Sequence, residues 1–576
     1  MGAGIVEVFA RNGLDVVAVE IADAALERGR SILTASTDRA VARGKLSEAD
    51  RDALLARVRF EVGLAALHDV DLVIEAVPEK LALKRTVFAE LDRVCKPSAI
   101  LATNTSSLSV TEIAVATQRP DRVAGLHFFN PAPVMRLVEV VRTVVTADDV
   151  VAELAALCTR IGKHGVTIGD RAGFIANTLL FGYLNQAATM YESGHASRED
   201  LDAAMRAGSG LPMGPLALLD LIGLDVALDI LDTMYRRGGR SRRHVAAPLL
   251  TQLVTAGFLG RKSGRGFYTY DRPGSSKVTP DQEQKDQDPA GVREVGAIGV
   301  VGSAALARTF TDAGFDVVSV PEPGVFVAGP GVSVVERAVG VLEPGVAVPE
   351  RGVSVAERGV SEQDGLERNR PERDGLERLT AVDLVVVEAV DGAAKALLAR
   401  LDGICKPGTP LAVTGSSAPV IESAMAAPHP ADVVGLHLTA ATLAEVVPTI
   451  RSSPDAVAAV RQVAGRLGRT VVSSVDRAGL VHDALLFPYL NDAVRMLEAG
   501  YATADDIDAA MTLGCGYPAG PFEMLDALGL DVALTAQRAV YAEQREPGLA
   551  PAPLLEHLVT AGYLGRKAGR GFREHS

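Results

Sequence analysis

Several features that would assign a protein to a particular class are missing from this chain. The formal net charge is −14, so there is no basic surplus to neutralise nucleic-acid phosphates. The four cysteines have no paired or metal-ligand spacing, which predicts reduced thiols and no metal site. No apolar run approaches the roughly 20 residues of a membrane helix, and the first residues carry no basic leader or lipidation motif. We therefore expect a cytoplasmic protein with neither nucleic acid nor membrane as a partner.

The chain contains an internal duplication. At 576 residues it is too long for one hydrophobic core, and long segments of its first half recur in its second half. The matching pairs are residues 170–185 with 476–491, 254–267 with 559–572, 95–97 with 405–407, and 125–127 with 435–437. These repeats are far longer than a solenoid unit. They indicate two whole subunits in tandem.

The first copy begins with an alternating pattern. An amphipathic helix over 3–12 is followed by Gly13, which favours a left-handed helix end. Continuous apolar runs at 15–20, 71–77 and 99–103 are typical of buried strands, and helical periodicity separates them. Such alternation predicts a parallel, doubly wound sheet.

Strand signals fade after about residue 145, where helical patterns take over. The longest are 177–193 and 215–236, and Ser197 stands three residues before Asp200 with the spacing of a helix cap. The pattern predicts α/β domains followed by all-α domains. The expected divisions are an α/β domain at 1–145, a helical domain at 146–272, a linker at 273–293, a second α/β domain at 294–452 with a disordered insert at 321–379, and a second helical domain at 453–576.

The start of the chain has part of a dinucleotide-binding motif. Gly2 and Gly4 open the first helix, whose N-terminus favours a pyrophosphate. Glu20 ends the next strand, where an acidic residue binds the ribose hydroxyls; the alternative is a solvated strand-end carboxylate. Because Glu20 would repel a 2′-phosphate and Ile21 offers no positive charge, the pattern favours NAD over NADP.

Four further motifs occur in order along the first copy. They are Asn104-Thr-Ser-Ser107, Gly125-Leu-His-Phe-Phe-Asn-Pro131, Asp170-Arg-Ala-Gly-Phe-Ile-Ala-Asn177 and Leu211-Pro-Met-Gly-Pro215. In this combination the chain resembles the 3-hydroxyacyl-CoA dehydrogenase family, and the resemblance covers nearly all of both copies. It implies a Rossmann-type NAD-binding domain followed by a helical C-terminal domain, each present twice.

The resemblance also implies roles for individual residues. His127 is the expected catalytic base and Glu139 its partner, while Ser106 and Asn177 hydrogen-bond the reacting oxygen. An imidazole titrates near neutral pH and can take the hydroxyl proton as hydride leaves C3. Each residue alone has a structural alternative, a buried histidine for His127 and a helix cap for Ser106. The expected cofactor residues are Gly2, Glu20, Glu75, Lys80, Asn104, Asn130 and Lys262. Ser36 and Arg43 are the expected coenzyme A contacts, with a solvated basic helix face as the alternative.

The expected reaction is NAD-dependent oxidation of (S)-3-hydroxyacyl-CoA to 3-oxoacyl-CoA, or the reverse, in fatty-acid β-oxidation or related acyl-CoA metabolism. One alternative is a 3-hydroxyadipyl-CoA dehydrogenase of aromatic-acid catabolism. Another is a catalytically inactive scaffold, because the first strand and the first two glycines of the dinucleotide motif are missing. The family has a methionine where Met1 stands, so we expect the native chain to start upstream of it. In an alternative, residues 295–301 supply the missing strand.

The second copy departs from the pattern. Pro321 replaces Glu20, Thr414 replaces Asn104 and Asp483 replaces Asn177. Ser416, His437 and Glu445 are kept. We expect this copy to be inactive. Since family members dimerise through the helical domain, we expect it to act as a built-in partner, giving an intramolecular pseudo-dimer.

Overall fold

The computed structural model describes residues 1–280, 294–321, 376–388, 393–415 and 418–575. Three expectations fall wholly or mainly outside these ranges: most of the linker, residues 322–375 of the insert, and Ser416. Among the helices that are described, none combines the length and apolar character needed to cross a membrane.

The first copy begins with an α/β domain. Its elements are α1 (Gly2–Arg11), β1 (Val16–Glu20), α2 (Asp23–Ala42), α3 (Glu48–Ala56), β2 (Val58–Val62), β3 (Leu72–Glu75), α4 (Leu81–Val94), β4 (Ile100–Thr103), α5 (Val110–Ala114), β5 (Val123–Phe128), β6 (Leu137–Arg142), α6 (Asp148–Arg160) and β7 (His164–Gly169). The predicted end of α1 is confirmed, since Gly13 has a φ of +81°.

Strands β3 to β7 form one sheet in sequential order, and β1 and β2 pair separately. All pairs are parallel except β5 with β6. Because β7 extends this sheet to Gly169, the expected domain boundary at 145 falls too early. The strand pattern of β7 is interrupted by Gly165 and Gly169, which hides it in the sequence.

A helical domain completes the first copy. Its elements are α7 (Ala176–Glu192), α8 (Arg198–Ser209), α9 (Pro215–Ile222), α10 (Leu224–Arg237) and α11 (Pro248–Thr255). The predicted cap of α8 is confirmed, because Ser197 Oγ accepts a hydrogen bond from the Asp200 N–H. The single helix expected over 215–236 is wrong. Gly223, at φ +101°, divides it into α9 and α10.

The second copy repeats this order. Its elements are β8 (Ala297–Val301), α12 (Ala304–Asp312), β9 (Asp316–Val320), β10 (Leu384–Glu388), α13 (Ala393–Asp402), β11 (Leu411–Thr414), α14 (Val420–Ala424), β12 (Val433–Thr439), β13 (Leu443–Pro448), α15 (Pro454–Arg466), β14 (Thr470–Ser473), α16 (His482–Glu498), α17 (Ala504–Ala509), a π-helical turn (Ala510–Gly514), α18 (Pro521–Leu528), α19 (Leu530–Gln544) and α20 (Pro553–Thr560). Because β14 belongs to its sheet, the expected boundary at 452 also falls too early.

The second sheet has the order β14-β13-β12-β11-β10-β8-β9. Strand β8 therefore lies between β9 and β10 of its own copy. The alternative in which residues 295–301 complete the first sheet is wrong. In the first copy, whose residues 1–280 are all described, β1 pairs only with β2, and β3 pairs only with β4.

The two helical domains share one hydrophobic core. Helix α7 packs against α16, where the rings of Tyr183 and Tyr489 meet edge to face with centroids 6.1 Å apart. Arg243 Nη2 donates to Asp492 Oδ2 across the same interface at 2.9 Å. The copies thus meet through buried aromatic rings and through an ion pair whose arginine is buried.

Candidate active site

The antiparallel pairing of β5 with β6 brings His127 directly opposite Glu139. The imidazole Nδ1 lies 2.7 Å from Glu139 Oε2. The other carboxylate oxygen, Oε1, accepts hydrogen bonds from the N–H groups of Ile175 and Ala176 at 3.1 and 3.2 Å. Since Glu139 is 0% exposed, these bonds hold its carboxylate in one orientation. The predicted pairing of the two residues is confirmed.

Ser106 lies on the other side of the imidazole. Its Oγ is 3.2 Å from His127 Nε2, and Asn177 Nδ2 donates to the Ser106 carbonyl oxygen at 3.1 Å. With the Nδ1 proton directed at Glu139, Nε2 presents its lone pair toward the Ser106 hydroxyl. The structure therefore brings all four predicted catalytic residues together, around a nitrogen able to accept a proton.

Two aromatic rings contact the same imidazole. The ring centroids of Phe129 and Phe174 lie 4.7 and 5.6 Å from that of His127. Phe174 has a φ of +50°, a left-handed conformation that is uncommon for a bulky residue. The turn that holds it also directs the Ile175 and Ala176 N–H groups at Glu139. Neither phenylalanine was predicted as a site residue, because apolar residues in these motifs are typical of core packing.

Glu79 is a further residue that the sequence reasoning missed. Its Oε1 accepts hydrogen bonds from the Ser106 and Ser107 N–H groups at 2.9 and 3.1 Å, and from the Thr105 hydroxyl at 2.5 Å. Burial opposes ionisation, but these bonds and the charge of Lys84 together lower the pKa of Glu79. An ionised Glu79 thus fixes the loop that carries Ser106. Its position just after β3, at the sheet edge where ligands bind, was the available signal.

Several of the predicted cofactor residues lie at the carboxyl edge of the sheet strands. Glu20 ends β1 and is exposed, and Gly2 begins α1. Asn104 follows β4, where its Oδ1 accepts the Phe128 N–H at 2.8 Å and so ties β4 to β5. Asn130 follows β5 and is exposed. This edge is where open α/β sheets bind their ligands.

Glu75 does not present its carboxylate at that edge. Both of its oxygens accept hydrogen bonds from Lys84 Nζ, at 2.8 and 3.0 Å, and the two side chains are each 1% exposed. Thr103 Oγ1 also donates to Glu75 at 2.8 Å. The expectation that Glu75 binds the cofactor is therefore corrected: its partners are inside the protein. Lys80, by contrast, is exposed at the start of α4.

The remaining predicted residues form no hydrogen bond or ion pair with the dyad in the part of the chain that is described. Lys262 forms an ion pair with Asp225 in the helical domain, and Lys567 pairs with Asp531 in the same way in the second copy. Ser36 and Arg43 are seven residues apart along α2 and its C-terminal end, so they share one helix face. Arg43 on that face is exposed.

The second copy keeps the histidine and glutamate but not their surroundings. His437 again stands opposite Glu445 across two antiparallel strands. Its Nε2 lies 3.8 Å from Asp483 Oδ2, which takes the place of the Asn177 amide. Glu445 Oε2 accepts the Val481 N–H at 2.9 Å, while Oε1 is buried and has no hydrogen-bond partner in the part of the chain that is described.

The second copy also differs from the first at the end of its sheet where a dinucleotide would bind, which we call its crevice. Glu388 Oε2 accepts the Ser303 N–H at 2.6 Å, and Ser303 Oγ caps α12. A carboxylate of the chain itself thus lies at the helix N-terminus, where a dinucleotide-binding fold receives its pyrophosphate. Pro321 follows β9, so this crevice also lacks the strand-end acid that Glu20 provides in the first copy.

We expect Glu445→Gln to remove a pH dependence of stability. Burial raises the pKa of the Glu445 carboxyl from 4.5 to about 7, with the charge of His482 opposing the shift. A raised carboxyl pKa means that the folded protein holds a proton that the unfolded chain releases, so parent stability falls as pH rises from about 4.5 to 7. Glutamine carries no proton equilibrium. The difference in unfolding free energy between variant and parent should grow by up to about 3 kcal/mol over this interval.

Denaturant titrations across that pH range measure this difference. The amide substitution can also change stability by an amount that does not depend on pH. This amount cancels, because only the change of the variant–parent difference with pH is used. A difference that stays level from pH 4 to pH 8 would contradict the prediction.

Comparison with known proteins identifies both halves of the chain. The family model described as 3-hydroxyacyl-CoA dehydrogenase, NAD binding domain, matches residues 1–171 and 292–477. The model described as 3-hydroxyacyl-CoA dehydrogenase, C-terminal domain, matches 173–270 and 479–575. The tandem repeat is confirmed by these paired matches, which together extend over nearly the whole chain.

Individual relatives agree with these models. The 3-hydroxybutyryl-CoA dehydrogenase of Mycobacterium tuberculosis is 48% identical over 272 residues, 47% of this chain and 95% of that protein. The mitochondrial hydroxyacyl-coenzyme A dehydrogenase of Homo sapiens is 42% identical over 277 residues, 47% of this chain and 88% of that protein. The crystal structure of 3-hydroxybutyryl-CoA dehydrogenase from Escherichia coli K12 substr. MG1655 is 30% identical with a TM-score of 0.68, covering 98% of this chain and 97% of that chain.

Proposed function

Since the chain belongs to the 3-hydroxyacyl-CoA dehydrogenase family of NAD-dependent oxidoreductases, we propose that its first copy interconverts (S)-3-hydroxyacyl-CoA and 3-oxoacyl-CoA, with 3-hydroxybutyryl-CoA among the substrates. The observation that carries this proposal is the arrangement around His127. Its imidazole lies between the Glu139 carboxylate and the Ser106 hydroxyl, at 2.7 and 3.2 Å. A hydroxyl group of the substrate placed beside Ser106 meets a base that is already oriented.

Proton removal is the step that this chain's residues perform. His127 Nε2 takes the proton of the substrate C3 hydroxyl, and the imidazolium that forms is stabilised by Glu139 at Nδ1. NAD, when bound, supplies the acceptor for the hydride that leaves C3. The C3–O bond becomes a carbonyl as proton and hydride depart, and the reverse reaction returns both to the same atoms.

Ser106 and Asn177 are the groups that hold the substrate oxygen. The Asn177 amide already reaches the Ser106 carbonyl at 3.1 Å, so the hydroxyl and the amide approach the same space. Neither group titrates near neutral pH, so both remain dipoles while charge develops on the oxygen. Glu79 holds the Ser106 backbone in place for this purpose.

The predicted cofactor residues at the carboxyl edge of the first copy's strands fit the dinucleotide. Helix α1 has no acidic residue in its first turn and no side chain bonded at its cap, so its N-terminal N–H groups suit a pyrophosphate. The exposed Glu20 suits a ribose diol and opposes a 2′-phosphate. Lys80, Asn104, Asn130 and Lys262 are further proposed cofactor residues. Ser36, which is partly exposed, and Arg43, which is exposed, share one face of α2 and its end, and they are proposed contacts for the phosphates of coenzyme A.

The second copy serves as a structural partner rather than a second catalyst. Glu388 occupies its pyrophosphate position, and a carboxylate in place of the Asn177 amide would repel a substrate oxygen that gains negative charge. Its helical domain instead supplies half of the shared core, including Tyr489 and Asp492. These features support an intramolecular pseudo-dimer with one working site.

Turnover of acetoacetyl-CoA by the purified full chain tests this function. We expect NADH to be consumed in proportion to acetoacetyl-CoA, with NADPH a much poorer donor because of Glu20. Parallel assays with longer 3-oxoacyl-CoAs and 3-oxoadipyl-CoA define the acyl range. Binding of NADH without turnover of any of these thioesters would refute the proposed function.

A further inference from the structure

The second helical domain reaches the catalytic strands of the first copy. Gly514 ends the π-helical turn, and a Cβ at this position would lie 2.6 Å from Leu137 Cδ2 and 3.4 Å from Phe129 Cε1 and Cζ. Tyr501 Oη, in the same domain, donates to the Gly169 carbonyl at the end of β7, at 2.8 Å. The second copy therefore lies directly against the strands that carry the dyad.

Both first-copy residues that meet Gly514 adjoin the dyad. The Phe129 ring contacts the His127 imidazole, with centroids 4.7 Å apart. Leu137 begins β6, the strand that holds Glu139 two residues later on the same face. A displacement at Gly514 would therefore be transmitted to the base through one ring and to its carboxylate partner through one strand.

The electrostatics agree with this proximity. Burial, followed by the negative charge of Glu139, raises the pKa of the Cys515 thiol to about 12 and raises that of the Tyr501 hydroxyl. At neutral pH both groups are uncharged, so they add no charge beside the dyad. An apolar and uncharged wall on this side strengthens the interaction between His127 and Glu139.

The reciprocal contact in the other direction keeps the strand connection, since Leu443 begins the strand that holds Glu445, but it lacks the ring. Gly208, which matches Gly514 in the repeat, lies against His482 and Leu443 of the second copy. Thr439 and Leu480 stand in the second copy where the first has Phe129 and Phe174. No aromatic ring at these positions links the Gly208 contact to His437.

We propose that Gly514 is a positioning residue for the first copy's catalytic dyad, so that the inactive copy forms the rear wall of the active site. Its missing side chain lets Phe129 and Leu137 occupy the positions that orient His127 and Glu139. The inference rests on the proposed function of the first copy. It adds that the site is complete only when the second helical domain is docked.

Gly514→Ala in the full chain is the central test. The added methyl displaces Phe129 or Leu137, and small misplacements of catalytic groups can lower rates by roughly tenfold to a hundredfold. We expect kcat to fall by that factor, while the KM for acetoacetyl-CoA and the Kd for NADH stay at parental values. Gly208→Ala is the matched control, since it crowds the equivalent interface from the other side. It should lower the melting temperature at least as much as Gly514→Ala and leave kcat near the parental value.

A double-mutant cycle with Phe129→Leu tests whether the Phe129 ring transmits the displacement from Gly514 to His127. If the ring transmits the displacement, Gly514→Ala should lower kcat much less on the Phe129→Leu background than on the parent. Equal kcat losses in Gly514→Ala and Gly208→Ala would overturn the inference. It would also be overturned if Gly514→Ala lowered kcat by the same factor on the Phe129→Leu background, on the Leu137→Val background and in the parent. A parent chain without dehydrogenase activity would refute the proposed function instead. An active parent with an unaffected Gly514→Ala would refute only the positioning role.

Discussion

His127→Gln is expected to lower kcat by roughly two to four orders of magnitude, the usual contribution of a general base. Glutamine keeps a polar group of similar reach but has no basic nitrogen to take the C3 hydroxyl proton. The Kd for NADH should change little, because the imidazole faces Ser106 and Glu139 and is 4% exposed. Steady-state reduction of acetoacetyl-CoA, together with a separate NADH titration, measures the two quantities.

The duplication provides a matched control. His437→Gln changes the equivalent residue of the second copy, where Asp483 stands in place of the Asn177 amide and Glu388 fills the pyrophosphate position. We expect this variant to keep parental kcat. Similar losses in the two variants would show two working sites. Near-parental turnover by His127→Gln would disprove the proton transfer described above.

The catalytic dyad could be predicted because the family resemblance assigns roles to His127 and Glu139. The structure places the two residues on adjacent strands joined by a short connection. Ser106 follows the neighbouring parallel strand, and the ends of parallel strands meet at one edge. The fold class could be predicted because each helix and strand carries its own hydrophobic periodicity.

Contacts between distant segments could not be predicted in this way. The approach of Gly514 to Phe129 joins residues from different copies, and nothing in either local sequence encodes it. The family resemblance assigned Glu75 to the cofactor, yet its partner in the structure is Lys84, in the first turn of α4. Whether a strand-end acid turns outward or inward depends on such a partner, which here lies nine residues further along the chain.

Removing one partner of the buried Glu75–Lys84 pair is expected to have a large effect on stability. Lys84→Met is expected to lower the free energy of unfolding of the first α/β domain by about 3–5 kcal/mol, because it leaves an unpaired carboxylate in the interior. Methionine matches the length of the lysine stem, so the loss arises from charge rather than from a cavity. Both side chains are 1% exposed, and Lys84 Nζ contacts the Val77 carbonyl as well as Glu75. Amide hydrogen exchange in β3 and β4 measures the opening free energy of this region.

Lys262→Met is the control for removal of a paired lysine. Its partner Asp225 and Lys262 itself are 37% and 46% exposed, so water replaces the lost partner and the expected loss is below about 1 kcal/mol. Adding Glu75→Gln to Lys84→Met removes the buried charge. The amide oxygen can still accept the Val77 N–H, and the amide NH2 can donate to the Thr103 hydroxyl oxygen in place of the hydrogen bond that Glu75 accepts from it in the parent. Exchange protection in β3 and β4 should then recover in part. Equal losses in Lys84→Met and Lys262→Met, with no recovery in the double variant, would show that the buried charge does not determine the stability of this domain.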